Sequence, residues 1–558
     1  MQNLKLAVIG LLWLPLSIIP ASALDVSDSI EFLRDENWAE AHRVLEEVID
    51  SNAYDGLAHF YLGRSLSNLD RCEEAIVHYE QSIGFGVNSG RNGMRNALLG
   101  KARCEALIGE HQDALVSLTE AWKNWGFDDF SSLVNDDALA SFTEAREFRA
   151  LAGLTARDTR NSRWQADIDY FIRLITETHP DSFHATEERN WRGAARDLRR
   201  NVARQTDTEI VGELMRLAAM IGDGHTSVYP PIEGELAWSL LPLQPVSLDG
   251  GWYVMAAPEL HANLVGARIT GVGTYSMDQM MELARQFTPS DNEFTAHWMA
   301  GNVFQLYEFY EVAGAVSVPG QVTMSFELPN GTEISRDLVA APIDRNPTIP
   351  STPASWVRAD GGGEVALWRD HLDQTFYMQM ISSDTLYVRL NQIANTEEMS
   401  LAGFGETVLN TLRTEGATSL VLDLRQNNGG NANLARDFVV SLLRHEPLSE
   451  SGHLFVLTGP RSFSATMYLV GALEQYMEPT LIGWPTGGRP TVYSTERPFT
   501  LPYSGVAGSV SARQHIDGYS ADDRRPAFLP DYLEWPTMAD VQNGRDPLVE
   551  RALELSSN

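Results

Sequence analysis

The chain has 558 residues, of which 43% are hydrophobic and 21% charged, a composition typical of folded globular proteins. This length exceeds what one hydrophobic core supports, so several domains are expected. The 75 acidic and 42 basic side chains give a formal net charge of −33, which disfavours nucleic acid and anionic membrane surfaces as partners.

Residues 1–23 have the pattern of a cleaved export signal. A weakly basic start at Lys5 precedes a short apolar run interrupted by Pro15, and small residues at 21–23 predict cleavage after Ala23. The apolar run is too short for a membrane-spanning helix, and no later segment is long and apolar enough to be one. The sequence therefore predicts a mature protein in the periplasm or outside the cell.

Residues 26–155 carry an internal repeat. Ala41 and Ala75 hold equivalent positions 34 residues apart, and Ala114 follows 39 residues later. A period near 34, with small residues where helices cross, resembles tetratricopeptide repeats, in which stacked helical hairpins bury a shared face. Such repeats indicate either a docking surface for a protein partner or a brace for the next domain.

The chain has two cysteines, Cys72 and Cys104, and both fall within the repeats. An oxidising compartment favours a disulfide, and a pair of buried free thiols is the alternative. Cys72 would start one helix and Cys104 would end its antiparallel neighbour, so we favour a bridge between them.

Two regions of different character follow the repeats. Apolar residues recur every three or four positions over 160–232, which predicts a helical subdomain ending in the stretch GDGHT at 222–226. Short strand-like segments then run over 236–340 and predict a small β-rich domain interrupted by one helix, SMDQMMELARQF. Residues 341–363 are rich in Pro and Gly and are interpreted as a linker.

Strand and helix patterns alternate over 364–558. We predict strands at 385–390, 419–424, 454–459 and 480–485, and helices over 398–414, 432–443 and 464–476. This alternation favours a parallel-type sheet covered by helices. Functional residues in such sheets gather where strands end and helices begin.

Three predicted strand-to-helix turns stand out in this region. In the first, Gly429 and Gly430 allow a sharp turn that leaves backbone N–H groups free. In the second, Ser464 begins a helix near the positive end of its dipole, and the third spans 483–490. A serine beside free backbone donors indicates acyl transfer, although a serine at a helix start is also a common N-cap.

Five motifs resemble, in this order, those of the S41 family of tail-specific and tricorn-core-like serine peptidases: GDGHTSV, LVLDLRQNNGG, RSFSATM, IGWPTGG and FLPDYLEW. The resemblance runs from about Trp164 to Leu555. It implies a multidomain α+β fold: N-terminal α-helical repeats, a helical subdomain, a PDZ-like β-rich domain at 236–340 and a crotonase-like α/β catalytic core at 364–558.

The resemblance also assigns roles to individual residues. Ser464 matches the nucleophile of the family. Gly429 or Gly430, together with the amide of Ala465, matches the donors of the oxyanion hole, which would stabilise the negative charge of the tetrahedral intermediate.

The base is decided by the distribution of lysine. Lysine occurs only at positions 5, 101 and 123, and Pro485 stands where family members with a Ser–Lys dyad carry theirs. Unless another chain lends a lysine, this leaves the histidine-containing branch, whose motif matches His225. His225 would take the Ser464 proton and return it to the leaving amine.

An imidazole base normally needs a carboxylate that fixes its tautomer. The tricorn-like branch places an acid a few residues before the PD of FLPD, and here we favour Asp523 over Asp522. A surface ion pair of this aspartate with Arg524 or Arg525 is the alternative.

Other polar residues are interpreted as structural. Asp223 is expected to cap the turn at His225 through backbone N–H groups, and His179 and His184 are interpreted as helix-end groups. Asn391 and Arg425 are interpreted as structural groups at strand ends, with a place in the lining of the substrate cleft as the alternative. No metal-binding spacing or phosphate-binding loop is found in the sequence, so neither a metal nor a cofactor is predicted.

Taken together, the sequence predicts an exported serine-type endopeptidase that hydrolyses peptides or unfolded proteins. As the resemblance implies, the PDZ-like domain would bind a chain terminus or gate the cleft. The alternative is a catalytically silent module that binds a peptide or another ligand on the same fold.

Overall fold

The computed structural model describes residues 24–87, 90–342, 352–361, 365–518, 520 and 522–557. The expected export signal, residues 1–23, lies outside this part of the chain. The described residues form two compact units that divide after Ala152. None of their helices is long and apolar enough to cross a membrane. The predicted multidomain α+β class is confirmed.

The first unit is helical. Its helices are α1 (Ile30–Arg34), α2 (Trp38–Ser51), α3 (Gly56–Asn68), α4 (Cys72–Phe85), α5 (Gly90–Leu107), α6 (His111–Trp125), α7 (Phe130–Val134) and α8 (Arg146–Leu151). Successive helices from α2 to α6 pack against one another. The equivalent alanines of the repeat, Ala41, Ala75 and Ala114, are fully buried, as small residues at helix crossings should be.

The expected disulfide is not formed in this unit. Cys72 and Cys104 are both free and buried, and the Cys104 thiol donates to Ser67 Oγ at 3.3 Å. Burial, and secondarily a hydrogen bond with the Cys104 thiol, raises the pKa of the Cys72 thiol to about 12. The two residues are therefore neighbours, as the repeat indicates, but they pack as thiols.

The second unit begins with three helices, α9 (Arg160–Thr178), α10 (Glu188–Asn201) and α11 (Asp207–Ala219). Thr206 and Glu209 form a capping box that starts α11, because each side chain accepts the backbone N–H of the other. The chain then turns through GDGHT into the short strand β1 (Ser227–Val228). The helices of this region therefore end at Ala219, and the turn that carries His225 follows.

The β-rich region follows. Its elements are β2 (Ser239–Leu240), β3 (Gln244–Leu248), β4 (Gly251–Ala257), β5 (Arg268–Val272), β6 (Tyr275–Ser276), α12 (Met277–Arg285), α13 (Glu293–Val303), α14 (Tyr307–Val312), β7 (Gln321–Glu327), β8 (Glu333–Val339), β9 (Ala341–Pro342) and β10 (Val357–Arg358). The antiparallel sheet has the order β10-β4-β5-β7-β8, with β3 added on β4 and β6 on β5.

This region differs from the prediction in two ways. Helices α13 and α14 follow the one expected helix and were not predicted. The apolar residues of α13 are spread around the helix rather than gathered in a stripe, so its sequence lacks the pattern of an amphipathic helix. The expected linker at 341–363 also contributes strands, since Val357 pairs with Ala257 at the edge of the sheet. Residues 343–351 and 362–363 lie outside the described part of the chain.

The C-terminal region holds the main sheet. Its elements are β11 (Phe376–Met380), β12 (Thr385–Leu390), α15 (Leu401–Glu415), β13 (Ser419–Asp423), α16 (Ala435–Leu443), β14 (Leu454–Thr458), α17 (Ala465–Tyr476), β15 (Thr480–Gly483), β16 (Thr491–Thr500), β17 (Ala507–Ile516), β18 (Tyr532–Leu533), α18 (Met538–Gln542) and α19 (Pro547–Ser556). The sheet order is β11-β12-β13-β14-β15-β18. The pairs from β12 to β18 are parallel, as predicted.

Both faces of this sheet are covered by helices. Leu386 and Val388 of β12 pack into a core shared with α15, α16 and α17. Tyr387 points to the other face, where it meets Leu548 of α19. The central strands are apolar in almost every position because both of their faces are buried.

The hairpin β16–β17 was not expected from the sequence. The third turn, 483–490, leads into β16 and not into a helix. β17 also pairs with β1, with Ser227 opposite Ser509. This pairing brings the GDGHT turn, more than 200 residues away in sequence, against the C-terminal region.

Candidate active site

Ser464 lies at the first turn of α17, directly after the loop that follows β14. Its backbone has φ +58° and ψ −125°, a conformation that residues other than glycine rarely adopt, and its side chain makes no capping hydrogen bond. Ser464 therefore holds the N-cap position, but its hydroxyl does not cap the helix. Strain of this kind costs on the order of 1–3 kcal/mol and is typical of functional positions.

Gly429 packs directly against this serine. Its φ of +110° favours glycine, and a Cβ added there would lie 2.6 Å from Ser464 Cβ and 3.0 Å from the Ala465 amide nitrogen. The Gly429 N–H donates to Asn427 Oδ1 at 2.9 Å. This amide is already engaged, although the sequence offered it as an oxyanion donor.

The amides of Gly430 and Ala465 are better placed as donors. The bridge to Ile393 uses the Gly429 carbonyl and the Asn431 amide, so it does not involve the Gly430 N–H. Ala465 is the first residue of α17, where a backbone N–H has no partner within the helix. Ala465 directly follows Ser464, and Gly430 directly follows Gly429, which packs against Ser464, so these two amides are the candidate donors to a developing oxyanion.

The GDGHT turn is held by Asp223, as the sequence predicts. One oxygen of its carboxylate accepts from the backbone N–H groups of His225 at 2.7 Å and Thr226 at 2.8 Å. The hydroxyl of Ser511 in β17 donates to the same oxygen at 2.9 Å, and Ser509 Oγ donates to the His225 carbonyl at 2.8 Å. The backbone of His225 is therefore fixed against the hairpin.

The imidazole of His225 reaches the residue next to Ser464. Its ring stacks on Phe463, with ring centroids 4.5 Å apart and an interplanar angle of 22°. Among the described residues, neither ring nitrogen has a hydrogen-bond partner, although the side chain is buried. Ser464 and His225 thus share one site without a hydrogen bond between them, and a loose geometry of this kind is common in substrate-free enzymes.

His179 has a contact in the site in addition to the helix-end role that the sequence predicted. It is the C-cap residue of α9, but its Nε2 donates to the free oxygen of Asp223 at 2.8 Å while its Nδ1 accepts from the Asp181 amide at 3.0 Å. These bonds fix a neutral imidazole with the proton on Nε2. Burial alone would raise the pKa of Asp223, but the hydrogen bond from His179 and the neighbouring His225 hold it below the ordinary value.

The carboxylates of Glu496 and Asp291 lie close to His225: Glu496 is 52% exposed and has its Oε1 3.8 Å from His225 Nε2, whereas Asp291 is buried. Asp291 lies between α12 and α13, is 3% exposed, and offers an oxygen in a cluster with Asp223 and His225 whose polar atoms lie within 4.8 Å of one another. Its Oδ1 accepts from the Gly224 amide at 2.8 Å, and its Oδ2 has no partner among the described residues. Burial raises the pKa of Asp291 to about 6, against the attraction of His225.

The same three residues are the only group among the described residues that could hold a metal ion. Asp223 is a poor ligand, because its oxygens already accept hydrogen bonds from two amides, one hydroxyl and one imidazole. That leaves His225 and Asp291, which is fewer protein ligands than zinc sites use. We therefore interpret the cluster as a base with its carboxylate neighbours.

Asp523 is engaged elsewhere. Both of its carboxylate oxygens accept from Arg525, at 3.2 Å from Nε and 2.8 Å from Nη2. Arg525 also binds Glu474 at 2.8 Å. The ion pair that the sequence left open as the alternative is the arrangement observed.

Arg425 and Asn391 have the structural roles expected of them. The Arg425 guanidinium is buried between Asp423 and Asp546, with Nη2 at 2.6 Å and 2.8 Å from their carboxylates. Asn391 donates to the carbonyls of His371 at 3.1 Å and Gln374 at 2.7 Å. The first network anchors the end of β13, from which the chain runs to Gly429.

Part of the chain matches a known peptidase family, and solved structures share its fold. Residues 384–451 match the model of peptidase family S41. No curated protein matches the chain. Among solved structures, a CPAF mutant is 11% identical over 71% of this chain and 98% of its own, with a TM-score of 0.50. This likeness concerns the fold alone.

Two further solved structures cover similar parts of the chain. The photosystem II D1 C-terminal processing protease is 13% identical over 69% of this chain and 99% of its own, with a TM-score of 0.33. The tricorn protease is 14% identical over 71% of this chain and 36% of its own, with a TM-score of 0.32.

Proposed function

We propose that this chain is a serine-type peptidase of family S41, supported by the match of residues 384–451 to the model of that family, and that it hydrolyses peptide bonds through an acyl-enzyme formed on Ser464. The observation that carries the proposal is the position of Ser464: strained, uncapped, packed against Gly429, and one residue from the ring that His225 stacks on. We propose peptides or unfolded proteins as substrates.

In this mechanism, Ser464 Oγ attacks the scissile carbonyl while His225 takes the hydroxyl proton. The carbonyl oxygen becomes an oxyanion that the amides of Gly430 and Ala465 stabilise. His225 then gives its proton to the amine as the C–N bond breaks, which leaves the acyl group on Ser464. Water attacks the ester with His225 again as the base, and the acid product and free Ser464 are released.

Asp291 is proposed as the carboxylate that supports His225, in place of Asp523. It is buried in the same cluster and has an oxygen free of hydrogen bonds among the described residues. A negative charge there would stabilise the imidazolium that forms when His225 holds the proton. Asp523, in contrast, is occupied by Arg525.

The pH dependence of activity follows from Asp291. Because burial raises the pKa of Asp291 to about 6, we expect kcat/KM to rise with pH as this carboxyl ionises. Asp291→Asn should lower kcat and remove this contribution to the pH profile. Asp167→Asn is a matched control, since burial also raises the pKa of Asp167, but its carboxylate accepts from the backbone N–H groups of Tyr503 and Ser504 and lies outside the cluster. An Asp291→Asn enzyme with wild-type kcat and profile would assign the carboxylate role to another residue.

The contribution of Asp291 to folding stability changes with pH in the opposite direction to that of a salt-bridged acid. The folded-state pKa of Asp291 lies above the unfolded value, so the folded state binds the proton more tightly. The stability this provides is present below about pH 4 and is lost as pH rises through about 6, by on the order of 2–3 kcal/mol. Urea unfolding of Asp291→Asn should show a weaker pH dependence in this range than the parent.

A fluorophosphonate probe tests the proposed function directly. The wild-type protein should form a covalent adduct, because such probes phosphonylate an activated serine. Ser464→Ala should abolish labelling, whereas an alanine at the exposed Ser451 should leave it unchanged. If the wild-type protein stays unlabelled and cleaves no peptide, the binding-module alternative replaces the proposal.

Three further assignments are part of the proposal. We infer that the region at 236–340 is PDZ-like and that 364–558 is a crotonase-like core, supported by the order of strands and helices. We infer export from the signal pattern at 1–23. The helical repeats at 26–155 are proposed to be tetratricopeptide-like and either to dock a protein partner or to brace the peptidase.

A further inference from the structure

A cavity of about 550 Å³ lies between the β-rich region and the main sheet, within the second unit. Strands β3 and β4 and helix α13 line one side, and the loops around Pro460 and Trp484 line the other. Its walls are unusually rich in indole rings: Trp252, Trp298, Trp368, Trp484 and Trp535. Flat apolar walls of this kind are suited to an aromatic or large apolar side chain.

Arg461 is the unusual charge in this cavity. Its Nε is buried and has no hydrogen-bond partner among the described residues, and its guanidinium lies over the ring of Trp298 at 5.5 Å from the ring centroid. Burial lowers the pKa of Arg461 to about 10, and no neighbouring acid opposes this effect. Arg461 as a whole is half-buried, and a guanidinium placed in this way without a carboxylate is costly unless a ligand supplies one.

The other arginines that line the cavity already have their carboxylates. Arg358 and Arg369 both bind Asp360, at 2.8 Å and 3.0 Å. Arg425 binds Asp423 and a second buried aspartate. Arg461 is therefore the one lining arginine that has no carboxylate partner among the described residues.

The remaining unpartnered atoms of the lining are also donors. The indole N–H groups of Trp252 and Trp368 are buried and make no hydrogen bond among the described residues. The ring of His297 stacks on Trp252, and its Nε2 forms a hydrogen bond with Ser247 Oγ at 2.5 Å. Because the buried lining atoms without a hydrogen-bond partner are all donors, a ligand that carries hydrogen-bond acceptors fits this cavity.

The cavity is close to the nucleophile. Arg461 lies three residues before Ser464, and Trp298 contacts Phe463 with ring centroids 6.0 Å apart. A peptide held in the cavity can therefore extend to Ser464. The cavity is thus a candidate site for substrate recognition.

We propose that this cavity binds a carboxylate of the substrate peptide at Arg461, together with an aromatic side chain that packs among the indole rings. The inference rests on the proposed peptidase function and names the substrate class for it. The carboxylate comes either from the chain terminus or from an acidic side chain beside the aromatic residue. In both cases the guanidinium gains the partner that the folded protein lacks.

Binding is measured by calorimetry in the Ser464→Ala background, so that a failure of hydrolysis cannot be mistaken for a failure of recognition. The probes are N-acetyl-Ala-Ala-Trp with a free carboxylate, the same peptide as its C-terminal amide, and N-acetyl-Glu-Trp-amide. We expect at least one carboxylate peptide to bind about 10 to 100 times more tightly than the uncharged amide, the range for a charged hydrogen bond. The free acid and the glutamyl peptide distinguish the two sources of the carboxylate.

Arg461→Gln should remove this preference, and Arg444→Gln, which changes a paired arginine outside the cavity, should keep it. Arg461→Met tests the same idea without ligand: its thermal midpoint should equal or exceed that of the parent, because an unpartnered buried charge is removed. Equal binding of all three peptides, an undiminished preference in Arg461→Gln, or a lower midpoint in Arg461→Met would overturn the proposal.

Discussion

Replacing Ser464 with alanine is expected to lower kcat for peptide hydrolysis by a factor on the order of 10⁴–10⁶. The alanine cannot form the acyl-enzyme, while the backbone of the site is retained. His225→Ala should lower kcat by a similar factor, because the hydroxyl then has no base. Rates with a quenched fluorescent peptide measure both effects.

The double variant separates a shared mechanism from two independent contributions. If Ser464 and His225 act on the same proton, Ser464→Ala/His225→Ala should be no slower than the slower single variant. Losses that multiply would contradict the proposed pair. A His225→Ala enzyme with normal kcat would show that another group is the base, and the His225–Phe463 stacking would then be structural.

Much of the main sheet could be predicted because its signals are local. Strand β12 was placed with both ends correct, since its apolar run has charged or polar neighbours on each side. Helix α15 begins at Leu401 and not at 398, because Ser400 accepts the Gly403 N–H and caps the helix there. Such a cap competes with the apolar period, which alone does not fix where a helix starts.

The partners of the site could not be read in the same way, since they depend on tertiary placement. Asp291 lies in a polar loop without a motif, and only the packing of the β-rich region brings its carboxylate to His225. The hairpin β16–β17 carries Ser511, which binds Asp223, yet its charged and proline-containing strands give a weak pattern. Asp523 was predicted from its distance in sequence to the PD of FLPD. That distance gives no information about the ion pair that Asp523 forms with Arg525.

The largest loss of stability is expected from Arg425→Met. The guanidinium is 2% exposed and lies between the carboxylates of Asp423, which is fully buried, and Asp546, which is 7% exposed. Without it, two buried carboxylates lose the guanidinium that pairs with both, and breaking a buried pair in this way typically costs about 3–5 kcal/mol. Urea unfolding at pH 7 should show this fall in the free energy of unfolding.

The pH dependence of this variant identifies the cause. Burial would raise the pKa of Asp423, but Arg425, with help from Arg389 and Tyr387, holds it below the ordinary value. In the wild-type protein this contribution is present above the unfolded pKa and is lost as pH falls. Once Arg425 is removed, burial dominates and the pKa of the carboxyl rises, so Arg425→Met should be relatively more stable in acid than at pH 7.

Two controls make the result specific to the buried network. Arg444→Met breaks an ion pair with Glu406 in which both side chains are 48% exposed, and it should cost less than about 1 kcal/mol. Adding Asp423→Asn and Asp546→Asn to Arg425→Met removes the unpaired charges and should recover part of the stability. If the single variant loses no more than the exposed pair, Arg425 does not anchor the end of β13, and the position of the Gly429 turn beside Ser464 must depend on other contacts.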